Sequence, residues 1–355
     1  MPTESRTEQL LNAYINGDDI SNFVPLSRNE QILKDMILGN EQTSSPQSRI
    51  ESLYKKLDEK IRTSSSVSDF FIKKGTNLKY LFYRYPNKTI PDDLLTKDFL
   101  NNFTDLSYLF YSSKLETIPK IDISKVTDAS YMFCNCTNLS SIPELDTSNV
   151  INMSHMFCGE YGYPMSKLIT IPNIDTSNVT DMNCMFSQCT SLTSIPELNT
   201  SNVEKNSGMF YMCKNLEYIP ALDFSKVSAF NQTFGHCEKL KSIELFNSDK
   251  TNYLGSTFSY CYELKKVIIN YYPYITYESD VNYLFRDCYS LKTIIIKNIE
   301  DRAKLGGSSF SNCYHFLGTS NSTYNPDGLK DGRIYMPIDY VEKISILDNW
   351  KKWCL

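Results

Sequence analysis

Hydrophobic positions recur along most of the chain with a long period, not with the short period of one amphipathic helix or one strand. A phenylalanine, called the key Phe below, marks each period at intervals of 23 to 29 residues. It occurs at Phe82, Phe110, Phe133, Phe157, Phe186, Phe210, Phe234, Phe258, Phe285 and Phe310. Such a period is typical of a solenoid, whose coils bury their hydrophobic faces only by stacking. The sequence therefore predicts an α/β repeat fold, a solenoid of about ten coils.

Three further hydrophobic columns follow the key Phe. Cysteine stands three residues after it, at Cys136, Cys189, Cys213, Cys237, Cys261, Cys288 and Cys313. Leucine stands six residues after it and Ile or Val nine residues after it, a pattern that predicts a short buried strand. Proline often follows, at Pro143, Pro172, Pro196 and Pro220. Because proline cannot donate a ladder hydrogen bond, it is expected to end the strand.

A polar run, Asp-Thr-Ser-Asn-Val, separates the predicted strand from the next key Phe. It occurs at 146–150 and 175–179, with variants at 199–203 and 223–227. Its side-chain oxygens predict the cap of a short helix. The inward side chains of that helix would be Val179, Met182, Met185 and Phe186. Each coil is thus predicted to hold one strand and one short helical turn.

The repeat resembles the BspA-like leucine-rich repeats of bacterial and phage surface proteins. Residues 175–196, Asp-Thr-Ser-Asn-Val-Thr-Asp-Met-Asn-Cys-Met-Phe-Ser-Gln-Cys-Thr-Ser-Leu-Thr-Ser-Ile-Pro, match that repeat almost column by column, and the resemblance covers roughly residues 76–316. It implies a leucine-rich-repeat-like solenoid, assigned to 68–332, and surface exposure. The strand Arg-Ile-Tyr-Met-Pro at 333–337 and a following helix predict a C-terminal strand-helix cap at 333–355, similar to the closure seen after such repeats.

Residues 1–67 predict a separate module of short α-helices and a linker. Ser-x-x-Glu capping boxes at Ser5, Ser27 and Ser48 predict helices over about 5–16, 27–38 and 48–62. These Ser-Arg-x-Glu helices resemble small N-terminal modules of tailed-phage structural proteins. The resemblance implies attachment to other virion proteins through residues 1–62, with Arg6, Arg28 and Arg49 as candidate contacts. Alternatively, the boxes only start helices and the arginines pair with nearby acids, a weak surface interaction.

Two insertions rich in tyrosine interrupt the repeats and are the candidate ligand-binding segments. The candidate residues are Tyr161, Tyr163, Tyr271, Tyr272 and Tyr274, together with Lys265 and Lys266 of an outward basic strip. Loops on a rigid scaffold often carry binding, and tyrosine offers a flat ring and a hydroxyl at low entropic cost. The alternatives are a compositional bias toward tyrosine and a solvated face whose lysines protect the sheet edge.

Composition narrows the classes of partner. The net charge of −5 gives no basic field for nucleic acid. The start of the chain has no export signal, and no apolar stretch is long enough to span a membrane, so membrane insertion is not expected. Seven cysteines in one column predict reduced, buried thiols and not disulfides, since side chains that point side by side rarely meet disulfide geometry.

Catalytic patterns are not found in the sequence. The three histidines are scattered over repeat positions, and no glycine motif or carboxylate pair marks a phosphate site or a glycosidase cleft. The prediction is therefore no enzyme, no cofactor and no metal site.

The sequence predicts a non-enzymatic phage virion protein, a tail, baseplate or fibre component that presents its repeats to a host-surface glycan or protein. The predicted location is the virion, after synthesis in the host cytoplasm. Short helices without a large core favour self-association, and a trimer is the form that the likeness to fibres implies. A capsid-associated decoration or fibre protein and a bacterial cell-surface adhesin are the alternatives.

Overall fold

The computed structural model of the chain describes residues 78, 81–90, 95, 100–101, 103–246, 253–269, 282–296, 309 and 333–335. In this part of the chain the coils stack in sequence order, which confirms a repeat solenoid. One parallel sheet contains β1 (Leu222–Asp223), β2 (Ser242–Phe246), β3 (Lys266–Ile269), β4 (Thr293–Ile296) and β5 (Arg333–Tyr335), in that order. The predicted helices of residues 1–62 and of the C-terminal cap lie outside the described residues.

Strand register follows the repeat. Ser242 of β2 pairs with Lys266 of β3, Lys266 pairs with Thr293 of β4, and Thr293 pairs with Arg333 of β5. Equivalent positions of successive coils therefore lie side by side. The outward side chains of the sheet form rows along the stack.

Proline decides where the strands form. Glu244, Ile268 and Ile295 follow the Ile or Val column in the coils of β2, β3 and β4. In six earlier coils this position is proline, at Pro91, Pro119, Pro143, Pro172, Pro196 and Pro220. Proline supplies no donor to a ladder. Among the earlier described coils, this side has one bridge, Thr117 to Ser141, instead of paired strands. Separate backbone hydrogen bonds also join these coils, such as Thr193 N to Ile169 O at 3.0 Å. Strands of four or five residues thus form in the coils of β2, β3 and β4, which lack this proline, whereas β1, in the coil of Pro220, has only two residues.

The prediction of a short helix before the key Phe is wrong, because residues 183–188 form consecutive turns. Cys184 N and Phe186 N donate to carbonyl oxygens of the next coil, at 2.9 Å each, while Ser187 N donates locally to Cys184 O at 3.0 Å. Left-handed residues stand two positions before and two positions after the key Phe, as at Cys184 (φ 52°) and Gln188 (φ 60°). A residue with positive φ ends right-handed helical winding.

The key Phe residues form a continuous stack through the core. The stack contains Phe82, Phe110, Phe133, Phe157, Phe186, Phe210, Phe234, Phe258 and Phe285. From Phe110 to Phe285, successive ring centroids are 5.5 to 5.7 Å apart and the ring planes deviate by 4 to 11°. Each buried ring contacts the ring before it and the ring after it, so the stack couples every described coil to its neighbours.

The Cys column is buried, and its described thiols are free, as predicted. Each thiol donates to the carbonyl oxygen of the key Phe of the preceding coil. Cys213 Sγ lies 3.0 Å from Phe186 O, and Cys288 Sγ lies 3.0 Å from Phe258 O. The column therefore satisfies a buried backbone acceptor as well as filling space.

The Asp-Thr-Ser-Asn run links coils instead of capping a helix. Asp175 Oδ1 accepts from Ser177 N at 2.9 Å, which closes a local turn. The buried Thr176 Oγ1 donates to Asn199 O of the next coil at 2.9 Å, and Asn178 Nδ2 donates to Ser148 O of the previous coil at 2.7 Å. The run thus bridges three coils.

A matched pair of threonines tests this linkage. Thr176 and Thr200 are equivalent and are 1% and 2% exposed, but Thr200 Oγ1 has no hydrogen-bond partner in the described part of the chain. Thr176→Val will lower the free energy of unfolding by about 1–2 kcal/mol, because Asn199 O loses its donor. Thr200→Val will be neutral or stabilising, because it removes an unsatisfied hydroxyl. Urea denaturation measures both, and equal losses would contradict the role of the Thr176 hydrogen bond.

Candidate binding surfaces

The first insertion, residues 159–166, forms a tight loop after the key Phe157. Tyr163 N donates to Glu160 O at 2.8 Å and the two residues form an antiparallel bridge. Gly162 reverses the chain between them with a φ of 86°. This is a backbone conformation that glycine adopts at no steric cost. The sequence Glu-Tyr-Gly-Tyr thus forms a short hairpin-like turn.

Hydrogen bonds to neighbouring coils hold the loop. Glu160 Oε1 accepts from the Tyr111 hydroxyl at 2.6 Å, and Asn135 Nδ2 donates to the same hydroxyl at 3.2 Å. In the amide orientation that satisfies both of its groups, Gln188 donates to Glu160 O at 3.0 Å and accepts from Tyr161 N at 3.1 Å. A loop that is already held loses less entropy when a ligand binds it.

The two tyrosines of the loop extend into solvent, while the loop is closed by a buried methionine. Tyr161 is 93% exposed and Tyr163 is 63% exposed. Met165 is fully buried, and its N donates to Gln188 O at 3.0 Å. Met165 stands three residues before Leu168, so it occupies the place of the Cys column in this coil. The solenoid core therefore continues beneath two rings that do not take part in it.

A small hydrophobic cluster lies beside the loop, formed by Tyr83, Tyr111, Cys134 and Cys158. Burial raises the pKa of Tyr111, and its hydrogen bond to Glu160 raises that pKa further. Burial also raises the pKa of Tyr131, which packs against the cluster, to about 12. Both hydroxyls therefore remain protonated near neutral pH, and Tyr111 stays a donor to Glu160.

The two lysines that were predicted as ligand contacts, Lys265 and Lys266, form a second candidate surface. Lys266 lies in β3 and Lys265 directly precedes it, and both are exposed. One coil earlier, Lys241 forms an ion pair with Glu217 on the surface. The two exposed lysines offer positive charge that would attract an anionic ligand in a salt-dependent manner.

The two surfaces are separate. The key Phe of the Tyr161 loop is Phe157, whereas β3 follows Phe258, four coils further along the stack. At about 4.8 Å per strand spacing this corresponds to roughly 19 Å along the solenoid. Lys265 and Lys266 therefore do not border Tyr161 and Tyr163. The candidates Tyr271, Tyr272 and Tyr274 lie outside the described residues, as do Arg6, Arg28 and Arg49.

Ile169 is an exposed hydrophobic residue that was not predicted from the sequence. Ile169 is 56% exposed and Tyr218 is 64% exposed, and both stand between the Leu and Ile columns. A large hydrophobic residue at these outward positions was a usable signal. The roles of Gln188 and of the Glu160 side chain had no such signal, because they depend on contacts across coils.

Over the described ranges, no group of three or more His, Cys, Asp or Glu side chains is arranged to hold a metal ion. Nor does the described part of the chain contain a helix with the length and apolar character needed to cross a bilayer.

Two family models match the chain. The family described as "Mycoplasma protein of unknown function, DUF285" matches residues 104–218 and 161–272. The "BspA type Leucine rich repeat region (6 copies)" matches residues 225–322. A search of curated proteins found no match. The chain thus contains BspA-type leucine-rich repeats and a DUF285 region, and repeats of the BspA type suggest a surface-binding or adhesin-like function.

Proposed function

We propose that this protein is a non-enzymatic binding protein whose solenoid presents the loop of residues 159–166 to a glycan or protein on a cell surface. The observation that carries this proposal is the exposure of Tyr161 and Tyr163, 93% and 63%, on a loop held by hydrogen bonds. Aromatic side chains frequently dominate the energy of interfaces. An ordered loop keeps the two rings available without a large entropic cost on binding.

The structural support for binding is the division of roles within this coil. Phe157 and Met165 are fully buried and complete the core. Tyr161 and Tyr163 are not required for that core, so their exposed surface is available to a ligand. Their rings can stack on a sugar or on an apolar protein surface, while each hydroxyl supplies a hydrogen bond.

Lys265 and Lys266 form a second, electrostatic contact in this proposal, one suited to an anionic surface polymer. The distance of about 19 Å from the tyrosine loop means that a single small ligand does not reach both surfaces. A polymer or a protein can do so. Tyr271, Tyr272 and Tyr274 are proposed as further contacts on their position in the second insertion.

The proposed setting is a phage virion, as a tail, baseplate or fibre component or a capsid-associated decoration. Three Ser-Arg-x-Glu repeats support it, with residues 1–62, including Arg6, Arg28 and Arg49, attaching the chain to other virion proteins. Self-association, as a trimer for a fibre, belongs to this proposal. Location in virions and release from the producing cell's cytoplasm follow from it.

A bacterial cell-surface adhesin is the second candidate, favoured by the match to a family described from Mycoplasma. Detection of the protein in purified virions, compared with the producing cell's envelope, separates the two settings. Residues 68–355 alone should fail to join virions in the first setting, with the full chain as control. Detection only in cell envelopes would exclude the virion proposal and leave the binding proposal intact.

The binding proposal predicts a loss of affinity without a loss of stability. Tyr161→Ser combined with Tyr163→Ser will reduce binding of the full-length protein to bacterial envelope preparations and to a glycan array by about tenfold or more. Its free energy of unfolding will change by less than about 0.5 kcal/mol, as for other exposed sites.

Tyr218→Ser is the matched control, because Tyr218 is 64% exposed but lies on another coil. It should retain binding. High salt should leave the tyrosine contribution in place and weaken only the part that Lys265→Ser and Lys266→Ser remove. Unchanged binding by the double tyrosine variant, or an equal loss with Tyr218→Ser, would contradict the loop as the binding site.

A further inference from the structure

Two cysteines outside the Cys column lie next to each other beneath the tyrosine loop. Cys134 and Cys158 each directly follow a key Phe, in adjacent coils. Their Sγ atoms are 2.7 Å apart, and the side chains are 0% and 1% exposed. Nonbonded carbon atoms in good contact are about 3.5–4.0 Å apart, and sulfur is larger than carbon. The two thiols are thus closer than ordinary packing places them.

The backbone around the two cysteines is in register for a covalent bond. Phe133 N donates to Met156 O at 2.9 Å, and Asn135 N donates to Cys158 O at 2.8 Å, so hydrogen bonds flank Cys134 on both sides. Neighbouring chains joined in this way lie about 4.8 Å apart. Disulfides need Cα atoms about 4.4–6.8 Å apart and an S–S bond of about 2.05 Å. A small approach of the two sulfur atoms completes that geometry.

The Cys column differs from this pair in a way that explains its free thiols. Cys136 Sγ donates to Phe110 O at 3.0 Å, and Cys189 Sγ donates to Phe157 O at 3.1 Å. Each column thiol therefore has a backbone acceptor in the preceding coil. Cys134 and Cys158 instead have each other as side-chain partners.

We propose that Cys134 and Cys158 are a redox modification site, which closes to a disulfide between adjacent coils when the protein meets a small-molecule disulfide such as oxidised glutathione. In the first step the Cys158 thiolate attacks one glutathione sulfur, and one glutathione leaves as a thiolate. In the second step Cys134 loses its proton and attacks Cys158 Sγ, which releases the second glutathione. Two protein thiols are oxidised and one glutathione disulfide is reduced to two glutathione molecules.

The surroundings assign different roles to the two sulfur atoms. The hydrogen bond from Cys134 and, to a smaller extent, the His155 imidazole together lower the pKa of Cys158 to about 7, against the effect of burial. Burial raises the pKa of Cys134. A thiol with a pKa near the ambient pH is the most effective attacker in disulfide exchange. Cys158 is therefore the nucleophile and Cys134 the resolving thiol.

The disulfide would fasten the base of the tyrosine loop, since Cys158 directly precedes Gly159. It would join two coils across a separation of 24 residues. Closing a loop of this size restricts the unfolded chain and so stabilises the folded one. This inference does not depend on what the loop binds.

Peptide mapping of the full-length protein after incubation with oxidised glutathione tests the proposal. Trypsin and a glutamate-specific protease together produce peptides 126–144, with Cys134 and Cys136, and 145–160, with Cys158. Without reductant these peptides should be joined, and two of the eleven cysteines should become unreactive to alkylation. The oxidised protein should also unfold at a higher urea concentration, and reductant should reverse that shift.

Cysteine variants identify the partner and keep the test decisive. Cys134→Ala should abolish the link and Cys136→Ala should retain it. Refolding from urea in a glutathione redox buffer gives access to both thiols if burial slows the reaction in the native protein. A link through Cys136, a stable glutathione adduct on Cys158, or no link in either procedure would overturn the proposal.

Discussion

Phe186→Ala will lower the free energy of unfolding by about 3–5 kcal/mol, the range for removing a fully buried phenylalanine from a core. Phe186 is 0% exposed and stacks on Phe157 and on Phe210, at centroid distances of 5.7 and 5.5 Å. The variant therefore loses contacts with both neighbouring coils. Equilibrium urea denaturation of the full-length protein measures the change.

The shape of the transition should change as well as its midpoint. In a repeat protein each coil is stabilised by its own interactions and by its interfaces with two neighbours. A cavity at Phe186 weakens two interfaces in the middle of the stack, so unfolding should become broader, with a smaller dependence on urea. Phe186→Leu, which fills most of the cavity, should give a clearly smaller loss, and Tyr218→Ala at an exposed site should give less than about 0.5 kcal/mol. A loss below about 1 kcal/mol for Phe186→Ala would contradict the role of the stack.

The core of this fold could be predicted from the sequence because the same hydrophobic positions recur in successive repeats. The key Phe, Cys, Leu and Ile columns are buried where the structure describes them, and the parallel sheet has the expected register. These positions could be identified because each column recurs in several coils with the same hydrophobic character. The match to BspA-type repeats over residues 225–322 agrees with that interpretation.

The local backbone could not be predicted in the same way. The run at 175–179 contains good helix-capping residues, yet Thr176 and Asn178 bond to carbonyls of other coils. Gln188 adopts a left-handed conformation, although glutamine is not a residue that favours it. Tertiary contacts between coils decide both outcomes, and a sequence read one residue at a time does not contain those contacts.

The candidate site could be predicted only in part, because some of its contacts join residues that are far apart in the sequence. An insertion rich in tyrosine is visible in the sequence, and Tyr161 and Tyr163 are exposed in the structure. The hydrogen bond between Tyr111 and Glu160 joins residues 49 positions apart and left no local pattern. The proximity of Cys134 to Cys158, by contrast, had a signal in the sequence, because both directly follow a key Phe in adjacent coils.

Gly159→Ala will displace the tyrosine loop while leaving the solenoid folded. A Cβ at this position would lie 2.7 Å from Tyr163 O, 2.8 Å from Pro164 Cα and 3.0 Å from Met165 N. All three are backbone atoms, so no side-chain rotation relieves the clash and the loop itself must move. Insertion of extra atoms into a packed site costs about 1–3 kcal/mol. The loss should be confined to the loop, because Phe157 and Leu168 on either side are held by the core.

Chymotrypsin cleavage after Tyr161 gives the first measurement. That peptide bond becomes accessible when the hydrogen bonds of Gln188 to Glu160 O and Tyr161 N are lost. The bond after Tyr163 precedes proline and is a poor substrate, so a single early cut within the loop is expected. Binding to the surface that the tyrosine loop recognises should fall about as much as in the Tyr161→Ser, Tyr163→Ser variant. Gly235→Ala is the matched control, since its nearest contact is the movable Tyr211 ring at 3.3 Å, and it should alter neither readout. If Gly159→Ala retained both the protease resistance and the binding of the unmodified protein, the tight path of residues 159–166 would not be what orients Tyr161 and Tyr163.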